Sequence, residues 1–185
     1  MINNEIEGYI FEPSFNHIIP DAPIAKFRKK VEGESLENFP TIDIFALDNA
    51  PNTKISQNLQ ITFGNVYNLI NYRQLPQNRG YIGKLISSLV LFIFQGKNKE
   101  RLSKYSLKQI TKWNKLDTQY ITNLYGYPNK KEMFKQEVLN EKKIVNFNRL
   151  KCPIPSEYDQ YLTQLYGDFM ELPSEAERRP KHVSD

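Results

Sequence analysis

Hydrophobic residues alternate with polar ones in two stretches near the N-terminus, and this pattern predicts two strands. In residues 24–29 apolar side chains alternate with basic ones, and in residues 41–47 two isoleucines and an alanine fall on one face at a period of two. The second stretch is expected to be a buried strand that ends at a turn containing Asp48. Because residues 32–35 form a loop, the two strands are expected to pair antiparallel, and their register decides which side chains share a face.

Helical spacing predominates after residue 52. In residues 53–75 apolar residues recur near every 3.6 positions and predict one buried stripe. A small mixed sheet followed by a larger helical portion makes the expected fold class α+β, in a single domain with a sheet portion over 1–52, a helical portion over 53–127 and a C-terminal portion over 128–185. The stripe consists of Ile55, Leu59, Phe63, Val66 and Ile70. The remaining predicted elements are helices over 81–94 and 97–115, strands over 120–127 and 143–147, and a final helix with Ser156 as N-cap and Gly167 at its end.

The composition of the chain excludes some classes of protein and favours certain partners. The chain has 185 residues, of which 39% are hydrophobic and 12% aromatic, and this argues against disorder. The formal net charge of +4 favours an anionic partner such as a phosphorylated substrate or a membrane surface, and no nucleic-acid-binding motif is present. A single cysteine, Cys152, excludes an internal disulfide and fits a reducing compartment. With no signal peptide in the pattern, a cytoplasmic location is expected.

Two adjoining segments are candidates for contact with a membrane. Residues 85–94 are apolar but number half of the ~20 that a spanning helix needs, so a buried helix is expected there. Residues 97–115 then carry seven basic residues against one acid, with part of an apolar stripe. The second segment is expected to be either an interfacial helix at the inner face of a membrane, meeting anionic lipid, or a helix with an ordinary solvated face.

Asp43 is the candidate site acid. A carboxylate flanked by Ile42 and Ile44 is costly to bury alone, so a metal, a cation or solvent is expected beside it, unless it merely caps a turn. If the strand stays regular, Asp43 and Asp48 face opposite ways, and Asp43 is preferred because Asp48 is expected at the turn. On the preceding strand Lys26 and Arg28 point to one side, and they suit either a phosphate or a solvated edge strand.

Two segments carry a family resemblance. Residues 42–49, with the sequence IDIFALDN, resemble the IDIFPLDN segment of the LicD family of phosphocholine transferases, which also resembles fukutin-type proteins. Residues 154–173 are similar to the closing motif of that family. The two motifs occur in the family's order and at about its separation. The family's earlier cluster of the type Trp-Asp-Asp-Asp-Ile-Asp has no counterpart, so the chain is expected to correspond to the downstream part of such a protein, without its main metal ligands.

The resemblance implies a function. Family members transfer phosphocholine from CDP-choline to a sugar of a cell-envelope glycan, such as teichoic acid or lipopolysaccharide, on a nucleotidyltransferase-like fold that uses Mg²⁺. Asp43 matches an aspartate expected to be a metal ligand and catalytic residue. The other candidate site residues are for substrate binding: Lys26 and Arg28 in the basic strand, Tyr166 and Asp168 in the closing motif, and His182 in the tail.

Whether this chain is an enzyme stays open at the level of sequence. Asp43 alone is expected to join a Mg²⁺ site without creating one, so activity is expected to be weak or absent. The alternatives are a non-catalytic remnant that binds a glycan or nucleotide, and a basic module at a membrane surface. Exposed apolar surface, with self-association or an upstream complementing fragment, is also expected.

Overall fold

The computed structural model describes residues 5–6, 9–12, 24–29, 41–72, 80–126, 128–172, 174 and 178. At Lys26, Arg28 and the two strands before them it describes the backbone alone. The fold is α+β, as the pattern predicts. The chain divides into two compact units, Met1–Met133 and Phe134–Asp185, and the single LicD-like domain stays a prediction.

The first unit begins with a four-stranded antiparallel sheet. Its strands lie in chain order: β1 (Glu5–Ile6), β2 (Tyr9–Glu12), β3 (Ile24–Lys29) and β4 (Thr41–Phe45). The expected pairing of the two sequence-predicted strands, now β3 and β4, is therefore confirmed. Every strand pair described here is antiparallel, where a mixed sheet was expected.

The strand β4 differs from its prediction in two ways. It is not buried, since Ile42 is 64% exposed and Ile44 is 48% exposed. It also ends at Phe45, and after a break a separate strand β5 (Asp48–Ala50) pairs antiparallel with β6 (Tyr120–Thr122). Asp48 thus lies in a strand and not in a turn. Apolar alternation marks a pleated face but does not say whether anything covers that face.

Three helices complete the first unit: α1 (Lys54–Tyr72), α2 (Tyr81–Ile93) and α3 (Gly96–Thr111). A 3₁₀ turn at Lys112–Lys115 follows α3, and another lies at Lys130–Glu132. Helices α1 and α3 pack on each other. The core that they build contains Tyr67, Ile110, Leu124 and Tyr125.

The buried stripe of α1 is rotated from its predicted position. Ile55 is 83% exposed, although the periodicity placed it in the core, and Leu59 is also exposed. Ile70 is fully buried, as predicted, and the other buried positions of α1 are Gln60, Gly64 and Tyr67. The prediction failed because it treated every polar residue as outward-facing, whereas Gln60 is buried and hydrogen-bonded to two backbone carbonyls.

The second unit is a hairpin with short flanking elements. The strand β7 (Met133–Lys135) lies where the two units divide, and it is followed by α4 (Glu137–Asn140), β8 (Lys142–Phe147), β9 (Leu150–Pro155) and α5 (Tyr158–Tyr166). Glu157 is the N-cap of α5, so the prediction of Ser156 was wrong; the Ser156 amide donates to the Glu141 carbonyl at 2.9 Å. Gly167 ends α5 with φ of +77°, as predicted.

Among the described residues, no helix is long and apolar enough to cross a membrane. The most apolar helix, α2, has 13 residues. This agrees with the expectation from the length of the apolar run.

Candidate functional site

Asp43 lies on β4 with its side chain exposed. The register sets Lys26 of β3 directly opposite Asp43, and Arg28 opposite Thr41. The pairing therefore brings the candidate cations and the candidate carboxylate onto neighbouring strands of one sheet, as the sequence suggested. The roles of these three residues in catalysis or binding stay predictions.

Asp48, six residues from the start of the family-like segment, has a different environment. Its side chain is 4% exposed. One carboxylate oxygen accepts a hydrogen bond from Nδ2 of Asn114 at 2.6 Å, and the other accepts from the hydroxyl of Tyr125. A buried carboxylate needs such donors, because burial removes the water that would otherwise solvate its charge.

The hydroxyl of Tyr125 is held in its protonated form. Burial, followed by the negative charge of Asp48, the hydrogen bond to that carboxylate and the nearby Tyr67, raises the pKa of Tyr125 far above its ordinary value. A neutral tyrosine donates the hydrogen bond that the carboxylate requires. The pair is therefore a structural contact, with the proton fixed on the tyrosine.

Asn49 extends this contact to the helices. Its backbone N–H donates to Oδ1 of Asn114 at 2.7 Å, and its side-chain Nδ2 donates to the Leu116 carbonyl at 3.0 Å. Nε2 of Gln60 donates both to the Asn49 carbonyl at 3.0 Å and to the Ile110 carbonyl at 2.8 Å. The Asp48–Asn49 pair thus joins β5 to α1, to the end of α3 and to the turn that follows it.

The two acids of the family-like segment therefore have separate environments. The rule that they face opposite ways assumed a regular strand, and the break at Ala46–Leu47 removes that assumption. Asp43 is exposed, while Asp48 is buried and each of its oxygens accepts a hydrogen bond from the protein. Sequence reasoning missed Asn114 and Tyr125, which lie 66 and 77 residues from Asp48 along the chain. It also missed Gln60, for which the available signal was a polar residue beside an apolar stripe.

A magnesium site was expected from the resemblance. Among the residues that the structure describes, no group of three or more histidine, cysteine, aspartate or glutamate side chains could hold a metal ion. Both oxygens of Asp48 already accept hydrogen bonds from the protein. Taken alone, the described residues do not fit a complete Mg²⁺ site, and the ion stays an expectation from the resemblance.

The remaining candidates belong to the second unit. Tyr166, the last residue of α5, is 70% exposed. Asp168 is exposed, and its Oδ1 accepts from the backbone N–H of Met170 at 3.2 Å. A carboxylate just after a helix C-terminus meets the negative end of the helix dipole, and this donor offsets part of that repulsion. His182 lies outside the described residues.

Comparisons of the chain with protein-family models, with curated proteins and with solved structures found no match. The resemblance to the LicD family accordingly depends on the two motifs in the sequence. The structure adds the environments of the described residues in those motifs.

Proposed function

We propose that this chain acts in the transfer of phosphocholine, or of a similar phosphoryl group, from CDP-choline to a sugar of a cell-envelope glycan. The observation that carries the proposal is the difference between the two acids of residues 42–49. Asp48 is buried in protein hydrogen bonds, which leaves the exposed Asp43 as the acid of this segment that a ligand can reach.

The charges around Asp43 support a phosphorylated substrate. Lys26 is its direct register partner, and Arg28 lies two positions further along β3. An arginine can bind phosphate oxygens through two parallel hydrogen bonds, and a lysine binds them as a point charge. In this proposal β3 holds the diphosphate of CDP-choline, and Asp43 faces the group that is transferred.

The rate of transfer by this chain is low. Among the described residues, Asp43 belongs to no group of three or more histidine, cysteine, aspartate or glutamate side chains that could hold a metal ion, and Mg²⁺ usually uses one or two carboxylates together with substrate phosphates and water. The same observation favours a second candidate, a non-catalytic module that binds a nucleotide or a glycan without depending on metal.

Calorimetric titration of CDP-choline, with and without Mg²⁺, tests both candidates. We expect Lys26→Ala or Arg28→Ala to weaken binding by about tenfold, since one charge-assisted hydrogen bond is lost. Lys54→Ala is a matched control, because Lys54 is exposed at the start of α1. If neither Lys26→Ala nor Arg28→Ala changes the affinity for CDP-choline, or if CDP-choline does not bind, β3 is not the diphosphate site.

Phosphorus NMR, which monitors the release of phosphocholine from CDP-choline, distinguishes the transferase from the non-catalytic binding module. For the transferase we expect slow, Mg²⁺-dependent release that Asp43→Asn abolishes while the control Asp117→Asn, also an exposed acid, retains it. Binding that does not respond to Mg²⁺, with no release, would assign the chain to the non-catalytic class. Fast release by the unaltered chain would contradict the assignment of low activity.

A further inference from the structure

Helix α2 presents large apolar side chains to solvent along most of its length. Phe92 is 75% exposed and Tyr81 is 83% exposed. A continuous apolar surface of this kind marks an interaction site on a water-soluble fold. The exposed large apolar residues of α2 are Tyr81, Ile82, Leu85, Ile86, Leu89, Phe92 and Ile93.

Helix α2 is apolar on more than one face. Its buried residue is Ser87, and Gly83, Val90 and Leu91 on the same face are half-buried, while the large apolar residues of the other faces are exposed. A surface helix of a globular protein normally turns its apolar stripe towards the core and its polar residues towards water. In α2 one apolar face is packed, and a second apolar stripe stays exposed to solvent and is available to a partner.

The charge around α2 identifies the chemistry of that partner. Residues 49–115 contain eleven basic residues and one acid, Glu100, which gives this stretch a net charge of +10 in a chain of net charge +4. The exposed cations include Lys84 on α2 itself and Lys97, Arg101 and Lys104 on α3, which starts two residues after the C-cap of α2. A second copy of this surface would be repelled, whereas an anionic surface would be attracted.

The length of α2 excludes one kind of membrane contact and fits another. Thirteen residues of α-helix extend about 20 Å, against a hydrocarbon core of about 30 Å. A short apolar helix beside a basic one instead suits the interfacial plane, where the apolar side chains enter the boundary of the acyl chains and the cations contact lipid phosphates.

We propose that α2 lies in the interface of an anionic lipid membrane, with the basic residues of α2 and α3 bound to the headgroups. This corrects the element named from sequence. The apolar stripe expected to meet lipid was on α3, but α3 packs against α1 and Ile110 is fully buried in the core. The lipid-facing residues are those of α2, and α3 contributes charge.

Vesicle flotation with the full chain tests the proposal. We expect the chain to float with vesicles of phosphatidylcholine containing about one-third phosphatidylglycerol and to bind pure phosphatidylcholine at least about tenfold more weakly. Raising the salt from about 0.1 M to about 1 M shortens the Debye length from about 10 Å to about 3 Å, and we expect it to release most of the bound protein. Equal binding to both vesicle types would overturn the proposal.

A matched pair of variants locates the contact. Phe92→Glu places a charge on α2, and Phe147→Glu places the same charge on β8, where Phe147 is 65% exposed. We expect the first variant to lower the vesicle partition coefficient by about tenfold or more and the second to leave it within about twofold. Circular dichroism establishes that both variants are folded.

Light scattering without vesicles distinguishes a lipid surface from self-association. We expect no change in molar mass between the unaltered chain and Phe92→Glu. If the unaltered chain is a dimer that Phe92→Glu dissociates, and vesicles do not bind it, α2 is a homodimer interface and the proposal is wrong. None of these measurements depends on phosphocholine transfer, so the two proposals fail independently.

Discussion

Removing the hydroxyl of Tyr125 isolates the contact that fixes Asp48. Tyr125→Phe keeps the ring, which packs edge-to-face on Tyr67 with centroids 6.1 Å apart. It removes one of the two donors to the Asp48 carboxylate and leaves the donor from Asn114. Because Tyr125 is 2% exposed and Asp48 is 4% exposed, water cannot readily replace the lost donor.

The expected cost follows from the charge of the acceptor. Hydrogen bonds to charged groups contribute about 1.5–3 kcal/mol to stability, and a buried acceptor left short of a donor costs towards the upper end of that range. We therefore expect Tyr125→Phe to lower the free energy of unfolding by about 2–3 kcal/mol. Urea denaturation followed by the fluorescence of Trp113, the only tryptophan in the sequence, measures it beside the buried pair.

High pH provides a second measurement on the same residue. Since the folded-state pKa of Tyr125 is raised from its ordinary 10.0, the unfolded chain loses this proton first as the pH rises. The contribution of the Tyr125 proton to the free energy of unfolding is complete below pH 10.0. Above pH 10.0 this contribution falls by about 1.4 kcal/mol for each pH unit, until the folded state also loses the proton. The difference between the unaltered chain and Tyr125→Phe should therefore shrink above pH 10.0.

Tyr81→Phe is the control, because Tyr81 is 83% exposed and its hydroxyl can bond to water. We expect this control to stay within about 0.5 kcal/mol of the unaltered chain. A Tyr125→Phe variant of equally unchanged stability, with no difference in its alkaline profile, would refute the argument that Asp48 depends on this donor.

Three further outcomes are expected. Asp48→Asn should cost less than Tyr125→Phe, about 1–2 kcal/mol in urea denaturation, because the new amide can accept from Asn114 and donate to the tyrosine oxygen. Gly64→Ala should lower the free energy of unfolding by about 1 kcal/mol, since its Cβ would lie 3.1 Å from Cβ of the fully buried Leu124, and overpacking outweighs the helical preference; an unchanged or raised stability would contradict this. Burial raises the pKa of Glu132 from its ordinary 4.5, so its ionisation destabilises the fold as the pH rises above that value. Glu132→Gln should therefore raise the melting temperature at neutral pH and give no advantage below about pH 4, and a gain that persists in acid would argue for another cause.

Several elements could be predicted because their causes are local. Spacing near 3.6 residues predicted α1, part of an apolar stripe predicted α3, and a short apolar run predicted α2. Alternation predicted β3 and β4, and β-branched and aromatic residues predicted β8. These patterns follow from backbone geometry, which repeats every few residues and does not depend on residues that are distant in the sequence. The antiparallel pairing of β3 with β4 could also be predicted, since few residues separate the two alternating stretches in the sequence.

The burial of each strand or helix face depended on residues that are distant in the sequence. The pattern assigned Asp48 to a turn, but Asn114 and Tyr125, which lie 66 and 77 residues further on, bury and bond its carboxylate in a strand. The pattern likewise took the isoleucines of β4 and the residues Leu85 and Leu89 of α2 as core, and the structure leaves them exposed.

By itself, then, the sequence determined where helices and strands form and which of their faces are apolar. Only the tertiary structure decided which acid is buried and which apolar face stays in contact with solvent. The reason is that secondary structure depends on hydrogen bonds and side-chain directions within one segment, whereas burial is a property of a pair of surfaces. The residue types in one segment, whether a carboxylate or a leucine stripe, do not indicate which other surface, if any, will pack against that segment.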